Sequence, residues 1–66
     1  MRVLKKGTQG PDVKRWQNFL AGQGYFYVIA DGDFGPNTHK ATIEFQKENN
    51  LTADGIVGQQ TLIKAM

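Results

Sequence analysis

Apolar side chains recur at helical spacing in three stretches of the chain, and a glycine-rich turn precedes each one. Over residues 11–21, Val13, Trp16, Gln17 and Leu20 fall on one face at i, i+3, i+4 and i+7. Pro11 stands at the head, where its fixed φ suits a first helical turn and its missing N–H costs nothing. Gly22 and Gly24 stop the helix. A second period over 36–49 aligns Thr38, Ala41, Thr42 and Phe45, again behind a proline, Pro36. Asn49 and Asn50 mark its end and Leu51 closes back onto the core, while Ile43, opposite Phe45, is expected in solvent. A third, short helix over 59–65 offers Leu62, Ala65 and Met66. The segment Tyr25-Phe26-Tyr27-Val28-Ile29 has the composition of a strand, but a lone strand has no partner here. It is therefore expected to be an extended, partly buried loop. The predicted fold is all-α, a compact three-helix bundle in which residues 1–66 form one domain.

An internal repeat supplies the turns. Asp31-Gly32-Asp33-Phe34-Gly35-Pro36-Asn37-Thr38 returns 23 residues later as Asp54-Gly55-Ile56-Val57-Gly58-Gln59-Gln60-Thr61, and both copies read D-G-x-[apolar]-G-x-x-T. In each, the aspartate is expected to accept backbone N–H groups of its own turn while the following glycine takes positive φ. Phe34 and Val57 then point inward as core plugs, and a helix starts beyond the second glycine. Thr38 and Thr61, early in those helices, are expected to bond backbone with their hydroxyls. Gly7-Thr8-Gln9-Gly10-Pro11-Asp12 is a looser version of the same junction.

Composition narrows the chemistry. With 66 residues the chain buries only about 60% of the surface its unfolded form exposes, which leaves little room for a deep site. It has no cysteine, and so no disulfide, thiolate nucleophile or cysteine metal site. It also has no serine, which removes Ser-His-Asp chemistry. His39 is the sole histidine and lacks a second ligand at zinc spacing, and Asp31-x-Asp33 lacks the rest of a calcium loop. No metal and no cofactor are expected. No segment approaches the length of a membrane span. Residues 1–9 carry no apolar signal-peptide core, so any export signal is expected elsewhere in a longer protein. Arg2, Lys5, Lys6, Lys14 and Arg15 concentrate positive charge near the start, although the net charge is only +2. That end could favour an anionic polymer, but no helix carries a basic stripe, so nucleic acid is not an expected partner.

The elements Leu4-x-x-Gly7-x-x-Gly10-x-x-Val13, Gln17-x-x-Leu20, Gly24-Tyr25, the two D-G repeats, Ala41, Phe45-Gln46 and Leu51 occur in a fixed order over essentially the whole chain. In this the sequence resembles the three-helix peptidoglycan-binding domain family attached to cell-wall amidases, muramidases, carboxypeptidases and phage endolysins. Two packing positions depart from the family pattern: Trp16 stands where leucine is common, and Thr42 where valine is common. Leu62 follows Thr61 where many members have tryptophan. The propeptide role of such modules in matrix metalloproteinases needs a cysteine motif, which is absent here.

The resemblance implies a non-catalytic module that binds peptidoglycan or muropeptide and acts beside a tethered catalytic domain in the cell wall, periplasm or extracellular space. The module is expected to be a monomer without membrane or nucleic-acid partners. Candidate ligand residues are Tyr25, Phe26, Tyr27, Asp31, Asp33, Asn37, Gln46 and Asp54, grouped around the D-G loops. Three consecutive aromatic residues in an extended segment cannot all face inward, and an exposed ring stacks well on the apolar face of a sugar. Gln17 and Gln46 adjoin core faces, where they either bond loop backbone or line a groove. Trp16 is expected in the core, with its indole N–H requiring an acceptor. The alternatives are a docking domain without wall binding and a small wall-cleaving enzyme using Asp31 and Asp33. The second is disfavoured, because both carboxylates lie on one tight turn.

Overall fold

The computed structural model describes residues 2–66. Three helices appear in order: α1 (Pro11–Gly22), α2 (Pro36–Glu48) and α3 (Gln59–Ala65). The described residues contain no β-strand, only two isolated antiparallel bridges, Leu4 with Val57 and Gln9 with Asp33. Proline opens both α1 and α2, as the residue order demands. Both helices close in the same way. The Tyr25 N–H donates to the Leu20 carbonyl at 3.1 Å, and the Leu51 N–H donates to the Gln46 carbonyl at 2.8 Å. These six-to-one bonds need a left-handed residue between helix and exit, supplied by Gly24 (φ 104°) and by Asn50 (φ 58°).

The core contains Leu4, Val13, Trp16, Leu20, Tyr25, Val28, Phe34, Ala41, Phe45 and Val57, with Phe19, Leu62 and Ala65 packed against it. Trp16, Phe19 and Phe45 form an aromatic triangle with ring centroids 5.3–5.6 Å apart. The Trp16 indole N–H finds its acceptor in the Thr42 hydroxyl at 3.0 Å. Ile43, expected in solvent, is half-buried. The buried face of α2 takes in Thr38, Ala41, Thr42, Phe45 and Gln46 and is wider than a single apolar stripe.

Residues 2–10 form an extended strap that the hydrophobic pattern does not announce. Leu4 exchanges both backbone hydrogen bonds with Val57 of the second D-G loop, at 3.1 and 2.7 Å. Further along, Gly7 and Gly10 donate to the carbonyls of Phe34 and Gly32, and the Phe34 N–H donates to the Thr8 carbonyl, all at 3.0 Å. One short segment thus ties both loops to the start of α1. Its outer end is held by Arg2, which forms a two-pronged ion pair with Asp12 at 2.7 and 2.8 Å and also donates to the Gln9 carbonyl.

Candidate ligand-binding site

The two D-G repeats form two loops of the same construction, loop 1 around Asp31–Thr38 and loop 2 around Asp54–Thr61. In loop 1 the Asp31 Oδ1 accepts the Asp33 N–H at 2.9 Å, and in loop 2 the Asp54 Oδ1 accepts the Ile56 N–H at 2.9 Å. Gly32 (φ 81°) and Gly55 (φ 74°) occupy the left-handed position between. A buried glutamine from the preceding helix anchors each loop. Gln17, wholly buried, places its Nε2 at 3.1 Å from Asp31 Oδ1, 2.8 Å from the Asp33 carbonyl and 3.0 Å from Thr38 Oγ1. Its Oε1 accepts the Gly32 N–H at 2.8 Å. Gln46, 1% exposed, repeats the set with Asp54 Oδ1, the Ile56 carbonyl, Thr61 Oγ1 and the Gly55 N–H at 3.1, 3.0, 3.2 and 2.9 Å. Thr38 and Thr61, expected to bond backbone, serve instead as acceptors for these amides.

Each loop borders a small cavity. Cavity 1, about 190 Å³, is lined by Gln17, Ile29, Asp31, Asp33, Gly35, Pro36, Asn37 and Thr38. Its counterpart at loop 2, about 230 Å³, is lined among others by Thr52, Asp54, Ile56, Gly58, Gln60 and Thr61, which follow their equivalents by 23 positions. The two differ in charge, because Ile56 replaces Asp33. Each loop has a second opening on its strap side. At loop 1 it is about 460 Å³, bordered by Gln9, Gly10, Pro11, Lys14 and again Asp31, Gly32 and Asp33. At loop 2 it is about 440 Å³ and reaches Val57, Gly58 and Gln59 but not Asp54. Asp31 and Asp33 therefore form a ridge between two openings. Asp33 accepts the Gln9 side-chain amide at 2.8 Å. The Asp33 N–H, and then the Gln17 amide, hold the Asp31 carboxyl below the usual carboxylate range, so Asp31 is anionic at neutral pH.

The aromatic segment divides as the crowding argument requires. Tyr25 is buried, Phe26 is 85% exposed and Tyr27 is 37% exposed. The Tyr27 hydroxyl donates to Glu44 at 2.9 Å, and Lys40 Nζ lies 5.2 Å from its ring centroid. Loss of hydration, and then the Glu44 bond, push this phenol up to about 12, so it remains a donor throughout the physiological range. The Asn37 side-chain amide reaches the Tyr27 carbonyl at 3.5 Å and links this segment to cavity 1. Of the candidate residues, Asp31, Asp33 and Asn37 are brought together at cavity 1; Tyr27 is tied to Asn37 through its carbonyl, and exposed Phe26 lies outside the cavity lining. Tyr25 is in the core. Gln46 and Asp54 belong to the separate loop 2, where the Gln46 amide is fully engaged by the protein itself. The candidate residues do not include Ile29, Pro36 and Thr38, which also line this opening; Pro36 and Thr38 lie within the first copy of the 23-residue repeat. Among the described residues no three histidine, cysteine, aspartate or glutamate side chains gather closely enough to hold a metal ion.

This architecture can now be set beside known proteins. Residues 9–64 match the family model described as "Putative peptidoglycan binding domain". The chain belongs to this family. It is 43% identical over 53 residues to the N-acetylmuramoyl-L-alanine amidase CwlM of Mycobacterium tuberculosis, covering 80% of this chain and 13% of the amidase. It is 36% identical over 67 residues to the spore cortex-lytic enzyme of Bacillus cereus, covering 97% of this chain and 26% of that enzyme. The crystal structure of the SleB N-terminal domain superposes with a TM-score of 0.92 at 33% identity, covering 97% of this chain and 88% of the domain. The chain thus spans only a minor part, 13% and 26%, of the length of these two curated relatives.

Proposed function

We propose that residues 1–66 form one non-catalytic module that binds muropeptide at loop 1 and holds an attached cell-wall hydrolase on the bacterial wall, outside the cytoplasmic membrane. The carrying observation is the Asp31–Asp33 ridge flanked by two openings, with Asn37 in the lining of one and bonded to the carbonyl of Tyr27, the chain neighbour of exposed Phe26. Carboxylates and the Asn37 amide can accept and donate bonds to hydroxyl and peptide groups, and a Phe26 face can stack on a pyranose ring. The site is shallow, so affinity for one repeat unit is modest. Retention on a polymer comes from the high local concentration of further units.

Catalysis by the module is disfavoured on two grounds. A general acid in glycoside hydrolysis needs a raised carboxyl, whereas Asp31 is held low. A molecule of 27 × 25 × 20 Å also has no depth for a water-excluding cleft. The test is sedimentation with purified sacculi stripped of teichoic acid. The wild-type module should pellet with them, and Phe26→Ala and Asp31→Asn should each weaken retention several-fold. A module that stays in the supernatant overturns the reading.

One observation favours a second reading, docking to a protein partner. A mostly apolar groove of about 540 Å³ between α1 and α3 is lined by Trp16, Phe19, Leu62, Ile63, Ala65 and Met66 among others. Its apolar lining suits side chains of another protein better than a polar muropeptide.

A further inference from the structure

We propose that Gln17 is the positioning residue of the loop 1 site, whereas Gln46, bonded in the same manner, holds structure alone. The inference rests on the assignment of muropeptide binding to loop 1. Gln17 makes no contact with solvent, so it acts through the groups it holds. Its amide and the Asp33 N–H together occupy Asp31 Oδ1, which leaves Asp31 Oδ2 as the ligand-facing oxygen. The same amide bonds the Asp33 carbonyl and the Thr38 hydroxyl, both from residues that line cavity 1, and its Oε1 pins Gly32 between the two acids. With those bonds removed, the ridge is still held by the strap, through the Gly10 N–H to the Gly32 carbonyl and the Gln9 amide to Asp33, but no longer by a side chain of α1 among the hydrogen bonds described.

The internal repeat provides a matched control that few sites offer. Gln46 makes the same four kinds of contact to loop 2, with distances agreeing to within about 0.2 Å. Replacing either glutamine removes equivalent bonds from an equivalent buried place. A purely structural role for Gln17 predicts equal consequences for the two replacements, and a positioning role predicts different ones.

The experiment compares Gln17→Met with Gln46→Met, which keep side-chain volume and remove every amide bond. Urea unfolding measures stability, and two-dimensional NMR titration with soluble disaccharide-peptide measures affinity. Both variants should lose similar stability. Affinity should fall by about tenfold or more in Gln17→Met and by less than about twofold in Gln46→Met. Equal losses of affinity, or an unchanged affinity in Gln17→Met, overturn the proposal. Should the methionine variants fail to fold, Gln17→Asn and Gln46→Asn replace them. These keep a neutral amide but withdraw it from its loop partners by one methylene, and the same criteria decide. A wild-type titration that leaves Asp31, Asp33 and Asn37 unshifted refutes the underlying site assignment instead, and is read before any variant is made.

Discussion

The Trp16 indole N–H donates to the Thr42 hydroxyl, and that hydroxyl donates in turn to the Thr38 carbonyl at 2.7 Å. Against the family pattern that the resemblance implies, with leucine and valine at these places, both residues are departures. The structure shows that the departures belong together: an indole in the core needs an acceptor, and threonine is a valine-sized side chain that supplies one. Thr42→Val should therefore cost about 1–3 kcal/mol by orphaning a buried donor. The Trp16→Leu, Thr42→Val double variant should lose less than the sum of its single changes, by roughly 1 kcal/mol in a urea-denaturation cycle. Strictly additive losses would mean that the bond contributes nothing. This pair was half legible in the sequence, since Trp16 was recognisable as a core residue requiring a partner. The identity of that partner, 26 positions away, depends on how α1 crosses α2, which no local pattern encodes.

At the level of elements, the helices were legible almost to the residue because their ends are specified chemically. Proline opens α1 and α2, and left-handed Gly24 and Asn50 close them. The observed ends, Gly22 and Glu48, lie one residue from the expected ones. The strap over residues 2–10 was not legible, because its bonds to the two loops are backbone bonds and leave no side-chain period to read. Loop 2 shows how tightly such elements are seated. A methyl group on Gly55 would fall within the His39 imidazole and at a positive φ, so Gly55→Ala pays for both strain and overlap. It should lower stability by about 1–3 kcal/mol, whereas Gly58→Ala, with open space around it and an ordinary φ, should change it by less than about 1 kcal/mol in thermal unfolding. Equal effects would show that loop 2 is looser than this geometry describes. The candidate site was legible as a neighbourhood. The sequence shows Ile56 in place of Asp33, but not that Gln9, Gly10, Pro11 and Lys14 enclose an opening against Asp31 and Asp33, because that arrangement arises from the strap.

For the molecule as a whole, the Arg2–Asp12 pair fastens the strap to α1, and its pH dependence has a definite sign. The Arg2 bond holds the Asp12 carboxyl at about 2 against an ordinary 3.8. A depressed carboxyl contributes stability in full above its ordinary value, and that contribution disappears as pH falls through the folded value. The unfolding midpoint should thus decline between about pH 4 and pH 2, and Arg2→Ala should flatten part of that decline. Asp31, lowered by its own turn and by Gln17, acts in the same direction. Both side chains of the ion pair are substantially exposed, so the effect is small and weakens further in salt. An acid profile indifferent to Arg2→Ala would show that the strap is held by its backbone bonds alone.

The functional account depends on where a wall fragment touches this surface. The most direct measurement is a two-dimensional NMR titration of the labelled chain with soluble muropeptides, beside a nucleic-acid control. The account predicts shifts at Phe26, Tyr27, Asp31, Asp33 and Asn37, with Asp54–Thr61 and the nucleic-acid sample unchanged. Shifts confined to Trp16, Phe19, Leu62 and Met66, or none at all, would contradict it.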